Sequence, residues 1–499
     1  MPMFARVMAY VRRNGLGYTL RRAVEMFSGR VLRVYDRAAR RADPSAEELA
    51  SQRMNPPDAG MISIAIPAWN TRPAFLQALA DSLTAQTYAN WEAVIYDGCS
   101  TDAEAIRSMD ALKDGRIRVI HGSANEGIAG NTNRAIAACR GDYIALCDHD
   151  DTLTPDALWH VARAIADEAP DLLYSDEDKL TEDGRVRTDP HRKPDFCPDN
   201  LRSGNYICHL MVVKRTLLTE LGGLRPAFDG SQDHDLTLRI AERTQRICHI
   251  PRVLYHWRTV GASMSHQRLQ QCQDAAARAV TEHMARIGRP GQCTVEDGVL
   301  RLRWDVPAGL TVQKIHVPAG EGYAFINRAA VGATGDVLLI LREGVSEPDE
   351  AALREMLMYA QRDDVAAVTP MITDRRGRIV HAGYTWDGER VCSRNAGLPG
   401  HAGGWHGLNR TSHNVMAVST DCLMVRRDHF IPFDEGYTGG LGAVDWCRRL
   451  WEWKLRCVYT PHAQIVCDRP ERTDDPADMA RLLAAWPDLR DPCRTGSEV

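Results

Sequence analysis

The feature that most narrows what this chain can become is a short apolar run that ends in acid. Tyr143-Ile144-Ala145-Leu146-Cys147 stops abruptly at Asp148-His149-Asp150-Asp151. Five apolar residues after Gly141-Asp142 predict a buried strand. Three carboxylates at the end of such a strand are electrostatically expensive unless something positive sits among them. Asp148 and Asp150 are two apart, so a turning strand end can aim both at one hard divalent cation. Oxygen ligands alone suit Mg²⁺ or Mn²⁺ better than zinc. The plainer alternative is an acidic turn capping a helix that starts near Thr154-Pro155.

The residues around this stretch alternate between strand and helix patterns. Ile62-Ser63-Ile64-Ala65-Ile66 predicts a strand that ends in Pro67-Ala68-Trp69-Asn70. A helix follows from Pro73, with Phe75, Leu76, Leu79 and Leu83 on one face, and proline is favourable in a first turn. Ala93-Val94-Ile95-Tyr96 and Ile117-Arg118-Val119-Ile120 are the next two strands, the former running into Asp97-Gly98-Cys99-Ser100-Thr101-Asp102. A glycine-containing loop, Asn125 to Asn131, feeds a helix through Ala138. This βαβα order predicts an α/β fold with a mostly parallel sheet and helices on both faces. Ligands of such sheets bind beyond the carboxyl ends of the strands. Asn70, Asp97 and Asp148 all fall at such ends and are expected to share one cleft.

At 499 residues the chain should hold more than one domain. A net charge of −5 provides no overall basic field for nucleic acid. The fourteen cysteines form no Cys-x-x-Cys pair, which argues against a zinc ribbon and for free thiols in a reducing cytosol. No apolar run is long enough to span a bilayer, and no signal-peptide apolar core is evident.

Residues 1–58 read as a basic helical preface. Met1 to Ala42 holds ten arginines and two acids, Glu25 and Asp36. Leu20, Val24, Phe27, Val31, Val34 and Tyr35 recur at helical spacing. Such a helix suits either an anionic membrane surface, at the inner face of the membrane, or packing on the main domain with its arginines in solvent. Pro44 and Asn55-Pro56-Pro57 mark linkers.

In combination these motifs resemble family 2 glycosyltransferases, most closely those that build O-antigen and other bacterial cell-surface polysaccharides. The resemblance runs over roughly residues 60–265. It takes in Pro67-Ala68-Trp69-Asn70, Asp97 with Ser100-Thr101-Asp102, the loop and helix from Gly127 to Arg134, and Asp148-His149-Asp150-Asp151. It continues through Tyr174-Ser175-Asp176-Glu177-Asp178, Lys193-Pro194-Asp195-Phe196, Gly230-Ser231-Gln232-Asp233-His234-Asp235 and Ile250 to Arg258. The ordered set is specific; no single piece is.

The resemblance implies the A-type glycosyltransferase fold and a nucleotide-diphosphate sugar donor. A divalent cation, Mn²⁺ or Mg²⁺, would neutralise the leaving diphosphate. It implies Asp148 and Asp150 as metal ligands with His256 nearby. Pro67, Trp69, Asn70, Asp97, Asn131 and Asp148 would serve the nucleotide, with Trp69 placed to stack on the base or merely to pack. Gly98 stands where the family often has a second Asp, a departure that would loosen nucleotide recognition. Asp233 matches the base that takes the acceptor proton; Gln232 stands where an acid often precedes it. Asp176, Lys193 and Gln232 fall to the acceptor side, with a solvated turn as the plain alternative for the first two. Asp235 reads as a helix N-cap carboxylate.

Repeats divide the chain further. Asn133-Arg134-Ala135 with Gly141-Asp142 recurs as Asn327-Arg328-Ala329 with Gly335-Asp336, at an offset of 194. Asp235, Arg239 and Pro251 recur as Asp445, Arg449 and Pro461, at an offset of 210. In these registers Asp148-His149-Asp150 becomes Arg342-Glu343-Gly344, Asp233 becomes Ala443 and His256 becomes Val466. The strands carrying Asn70 and Asp97 have no evident counterpart before Asn327. The expected organisation is a preface (1–58), a catalytic domain (59–290), a partial and degenerate second copy (291–480) and a surface-exposed tail (481–499). His381, His401, Trp405 and His406 read as loop residues.

The reading is inverting transfer of a sugar from a nucleotide-diphosphate donor to a hydroxyl of a glycan or lipid-linked acceptor, in a cytoplasmic enzyme. Two rivals remain. A nucleotidyltransferase would want a glycine-rich loop with a basic residue after the first strand, where Pro67-Ala68-Trp69-Asn70 stands. A glycan-binding scaffold would not need Asp97, Asp148, Asp150 and Asp233 together.

Overall fold

The first, second and fourth strands of the chain are buried along nearly their whole length, and strands of that kind lie inside a sheet. β1 (Ile62–Ala68), β2 (Trp91–Asp97), β3 (Ile117–His121) and β4 (Tyr143–Leu146) line up in parallel in the order β3-β2-β1-β4. The computed structural model describes residues 30–260 and 269–495. The helix Pro73–Thr84 covers one face with Phe75, Leu76, Leu79 and Leu83, all buried as their spacing predicts. Truncating one of these leucines to alanine would leave a cavity costing about 2–5 kcal/mol.

The sheet then changes character. β5 (Thr152–Leu153), β6 (Leu172–Leu180), β7 (Arg187–His191), β8 (Met211–Lys214) and β9 (Ile247–Arg258) extend it to β3-β2-β1-β4-β8-β6-β9-β5, with β7 on β6. β8 runs antiparallel to both β4 and β6, β9 runs parallel to β6, and β5 runs antiparallel to β9. The carboxyl ends of β1, β2 and β4 therefore face one edge, onto which the far ends of β6 and β9 also project.

A hairpin of β10 (Gly291–Glu296) and β11 (Val299–Trp304) leads to a second sheet. Its strands are β12 (Val312–Val317), β13 (Val337–Arg342), β14 (Val365–Thr373), β15 (Ile379–His381), β18 (His413–Val415), β19 (Cys422–Arg426) and β20 (Arg456–Val466). The small pair β16 (Tyr384–Trp386) and β17 (Val391–Ser393) stands apart. The order β12-β13-β19-β14-β20 has the strand directions of β1-β4-β8-β6-β9: parallel, antiparallel, antiparallel, parallel. One strand, β12, thus takes the sheet position of β1 ahead of Asn327, where the sequence suggested none. Among the described residues nothing pairs outside it as β2 and β3 do in the first sheet.

The two sheets share a core. One buried cluster joins Ile144, Tyr174 and Val213 to Val337, Met356 and Ile465. A buried charge network reinforces it: Asp199 accepts from Arg362 at 2.6 Å and from Arg202 at 2.9 Å. The tail is largely exposed, as predicted, but it is pinned at a few points. Leu489 and Cys493 are buried, the Asp195 amide donates to the Pro492 carbonyl at 2.8 Å, and Cys493 Sγ is 3.4 Å from Cys197 Sγ. His381, expected in a loop, ends β15 fully enclosed, and burial pulls its imidazole down to about 3.

Two helices, Arg30–Ala42 and Ala46–Met54, precede β1. Leu20, Val24 and Phe27 of the basic stretch lie outside the described residues. Val34 is 63% exposed, whereas Tyr35 is half-buried against the first domain.

Candidate active site

β4 is walled in by β1 and β8, so the chain can only leave it at the carboxyl edge. There, Asp148 to Asp151 run between β4 and β5, and the end of β9 fixes them. Asp151 is fully buried: the Tyr255 hydroxyl donates to its Oδ2 at 2.5 Å and the Arg258 amide to its Oδ1 at 2.6 Å. The same Tyr255 oxygen accepts the Asp148 amide at 3.1 Å. The Arg258 Nε donates to the Asp150 carbonyl at 2.7 Å, and its guanidinium lies 4.8 Å over the Phe75 ring.

Asp148, Asp151 and His209 bring one ligand atom each within 4.8 Å of one another. His209 Nε2 stands 3.6 Å from Asp148 Oδ2, and its ring stacks on Tyr255 at 4.7 Å. The loop that carries it is fixed from behind. The His209 amide donates to Glu177 Oε2 at 3.1 Å. The enclosed Lys193 ammonium donates to the His209 and Ile207 carbonyls and lies 3.2 Å from Glu177. Burial works against the Glu177 carboxylate, but Lys193 and His191 outweigh it and hold the group at about 2.

The acids respond to their crowding. Burial, then the Asp148 and Asp150 charges, push Asp151 well above the usual carboxylate range. Burial and the Asp148 charge also raise Asp150, against His149 and Arg258. A bound cation would reverse this penalty, so the residues present fit one. Two carboxylates and one imidazole suit Mn²⁺, and the oxygens alone suit Mg²⁺.

This grouping differs from the expected ligand set. Asp150 stands outside the Asp148–Asp151–His209 trio. His256 is turned away from it: successive side chains on a strand point to opposite faces, and Tyr255 is the one aimed at Asp151. His256 Nδ1 instead meets Asp178 Oδ1 at 2.5 Å, and its Nε2 is buried without a hydrogen-bond partner. Asp151 and His209 were not among the ligands expected from the sequence. Asp151 was visible as the third acid of the quartet, but no spacing along the chain links His209 to Asp148.

At the β1 and β2 ends the expected nucleotide residues form a clasp. Asn70 adopts φ +48, a left-handed conformation that asparagine tolerates. Its Oδ1 accepts the Thr101 and Asp102 amides at 2.9 and 3.0 Å, and its own amide donates to Ser100 Oγ at 2.8 Å. Asp97 is 2% exposed, with Ser100 Oγ on Oδ1 at 2.6 Å and His121 Nδ1 on Oδ2 at 2.8 Å. Pro67 is the one residue of β1 that is not fully buried, and Trp69 is 50% exposed beside it. Gly98 has a local reason: a Cβ there would come 2.3 Å from Asn131 Nδ2, which donates to Asn125 Oδ1 at 2.9 Å. An aspartate at 98 would displace Asn131.

Asp233 is the second residue of the helix Gln232–Ala241, and Asn205 Nδ2 donates to its Oδ2 at 2.7 Å. Asn205 belongs to the loop that carries His209. Between them lies Cys208, whose thiol is raised by burial and then by Glu177, Asp233 and Asp148. Asn205 bonds Asp233 and His209 lies 3.6 Å from Asp148, so the two acids flank one loop. Gln232 is spent locally, accepting the Gly230 amide at 2.7 Å. Asp176 and Lys193 form no solvated turn: both are buried, and Asp176 Oδ1 accepts the Lys193 amide at 2.8 Å and meets His249 Nε2 at 2.9 Å. Asp235 is not an N-cap but a buried ion pair, 3.0 Å from both Arg225 Nε and Arg239 Nε.

In the second sheet the corresponding edge is different. Arg342 ends β13 and pairs with Glu471 at 2.9 Å. Among the described residues no helix is long and apolar enough to cross a membrane.

The glycosyl transferase family 2 model matches residues 63–221. The chain is 32% identical over 492 residues to protein y4gI of Sinorhizobium fredii, described as uncharacterized; the match covers 84% of this chain and 54% of that protein. It is 31% identical over 485 residues to the O-antigen biosynthesis protein RfbC of Myxococcus xanthus, covering 81% and 37%. The chain thus spans about half, or less, of the length of these curated relatives. TarS of S. aureus, solved in complex with UDP-GlcNAc, shares 17% identity at a TM-score of 0.38, over 45% of this chain and 66% of that one. Residues 63–221, a mostly parallel sheet with acids at its carboxyl edge, thus form a glycosyl transferase family 2 domain.

Proposed function

We propose that the chain is an inverting, metal-dependent glycosyltransferase that moves a sugar from a nucleotide-diphosphate donor to a hydroxyl of a glycan or lipid-linked acceptor in cell-surface polysaccharide assembly. One observation carries this reading: Asp148 and Asp233 flank a single loop, held by contacts to His209 and Asn205 respectively. The printed name of RfbC, O-antigen biosynthesis protein, supports the pathway.

Asp148, Asp151 and His209, with Asp150 beside them, would hold Mn²⁺ or Mg²⁺, which supplies Lewis-acid stabilisation of the departing diphosphate. The chain's own residues do the rest. Asn205 fixes Asp233 Oδ2, which leaves Oδ1 to take the acceptor proton while the hydroxyl attacks the anomeric carbon in line. Asn70 sets the loop in which Asp97 faces the nucleotide, with the Trp69 indole free to stack.

Residues 59–290 form the catalytic unit in this proposal. Residues 291–480 are a silent relative, since Arg342 opposes a cation where Asp148 would hold one, and Ala443 and Val466 replace Asp233 and His256. The enzyme works in the cytoplasm at the inner membrane face, and exposed Arg37 and Arg41 of the first helix suit anionic lipid.

Calorimetric titration with a panel of nucleotide sugars, with and without Mn²⁺, tests the proposal, followed by donor hydrolysis assays. Binding of at least one donor that requires Mn²⁺ is expected. Metal-independent binding, or none, would point to a scaffold instead.

A further inference from the structure

Asp178 is a fully buried carboxylate with one partner on each oxygen. Its Oδ1 meets His256 Nδ1 at 2.5 Å on the neighbouring strand β9. Its Oδ2 accepts the Tyr35 hydroxyl at 2.8 Å, across 143 residues of sequence. Tyr35 comes from the helix Arg30–Ala42, which lies along β7 and is fastened there. The Arg187 amide donates to Asp36 Oδ1 at 3.0 Å, Arg187 also pairs with Asp43 at 2.6 Å, and Arg40 donates to the Arg185 carbonyl at 2.6 Å. The helix therefore completes a hydrogen-bond chain that ends inside the first sheet.

That chain lies immediately behind the site. Asp178 follows Glu177, which holds the His209 amide, and His256 follows Tyr255, which holds Asp151 and the Asp148 amide. In register, Glu177 pairs with Tyr255 and Asp178 with His256. On these two strands one face carries the cluster and the other carries the Tyr35–Asp178–His256 chain. His256 also pairs with Thr152, the residue after Asp151. A shift of His256 would thus be felt at once by Tyr255, Thr152 and Asp151.

We propose that Tyr35 is a positioning residue for the transfer site, acting through Asp178 and His256 on the end of β9. It makes the basic N-terminal helix part of the catalytic unit. This inference rests on the reading of Asp148, Asp151 and His209 as the site, and the test separates the two.

Tyr35→Phe removes one hydroxyl and keeps the ring, so the full-length chain is expected to fold. Val34→Ala, next to it and 63% exposed, serves as control. Amide hydrogen exchange of the metal-free protein should become two- to fivefold faster in segments 147–153, 205–212 and 253–258 in Tyr35→Phe, and not in the control. Mn²⁺ affinity by calorimetry should fall three- to tenfold, and turnover of a donor sugar should drop by a similar factor. Asp178→Asn combined with Tyr35→Phe should add little to either single change. Faster exchange confined to residues 30–45, with unchanged Mn²⁺ affinity, would reduce Tyr35 to a helix anchor and overturn the proposal. If the wild type binds no Mn²⁺ and turns over no donor while the exchange pattern still appears, the positioning stands and the transferase reading falls.

Discussion

The Tyr255 hydroxyl donates to Asp151 Oδ2 at 2.5 Å and accepts the Asp148 amide at 3.1 Å. One oxygen on β9 thereby sets both the buried acid and the backbone of the half-buried one. Tyr255→Phe would leave Asp151 with the Arg258 amide as its remaining hydrogen-bond donor. An unsatisfied buried acceptor costs about 1–3 kcal/mol. A loss of that size in denaturant unfolding is expected, together with weaker Mn²⁺ binding. Retention of both would show that water replaces the hydroxyl without loss.

His209 stands beside Asp148 and Asp151, whereas His256, the histidine singled out in the sequence, bonds Asp178. Substituting a group that ligates or orients a metal commonly costs about 10–100-fold in affinity. His209→Ala should weaken Mn²⁺ binding on that scale. His256→Gln should act only through strand geometry, with an effect below tenfold. Titration of both variants by calorimetry decides between them, and the reverse ranking would return His256 to the ligand set.

Asp233 and Asn205 make a second pair open to test. Removal of a general base typically costs about 10²–10⁴-fold in rate. Asp233→Asn should lose kcat on that scale while Mn²⁺ and donor affinity stay near wild type. Asn205→Ala should lose less, because it frees the carboxylate without removing it. If Asp233→Asn turns over donor and acceptor at the wild-type rate, the base lies elsewhere.

The two sheets should respond differently to loss of an acid. Asp148→Ala should abolish metal-dependent turnover and Glu343→Ala, at the corresponding edge of the second sheet, should leave it intact. Assays of the two variants side by side suffice. Equal losses would mean that the catalytic half has been misassigned.

Glu177 links the site to acid stability. Its carboxyl is held at about 2 in the fold, below the ordinary value of 4.5. A depressed acid stabilises the native state above its unfolded pKa and loses that contribution as pH falls through the folded one. The shift corresponds to about 3 kcal/mol, an upper figure for a buried group paired with Lys193. Stability should therefore fall between roughly pH 4.5 and 2, and Glu177→Gln should flatten that part of the profile in thermal unfolding across this range.

Much of the first domain was legible without coordinates. Apolar runs bounded by glycine, proline and acid marked β1, β2 and β4, because a central strand must be apolar on both faces, and a shorter run marked the edge strand β3. The acids Asp97, Asp148 and Asp233 were legible as well, since each closes a strand or opens a helix. The second sheet announced itself by repeated residues at constant offset, although β12 escaped notice because its exposed polar residues blur the pattern.

The partners of these acids were decided elsewhere. Asp151 and His209 are 58 positions apart, and only the pairing of β8 between β4 and β6 brings them together. His256 shows the same dependence from the other side: one step along β9 turns its ring from the site toward Asp178, a consequence of the strand's twofold alternation that no motif encodes. Tyr35 lies farther still from Asp178, and its bond exists because a helix docks on β7. Sequence by itself determined which elements form and where their acids stand, since both depend on neighbours a few residues away. Tertiary structure decided which side chains meet, since sheet register and strand face join residues separated by tens to hundreds of positions.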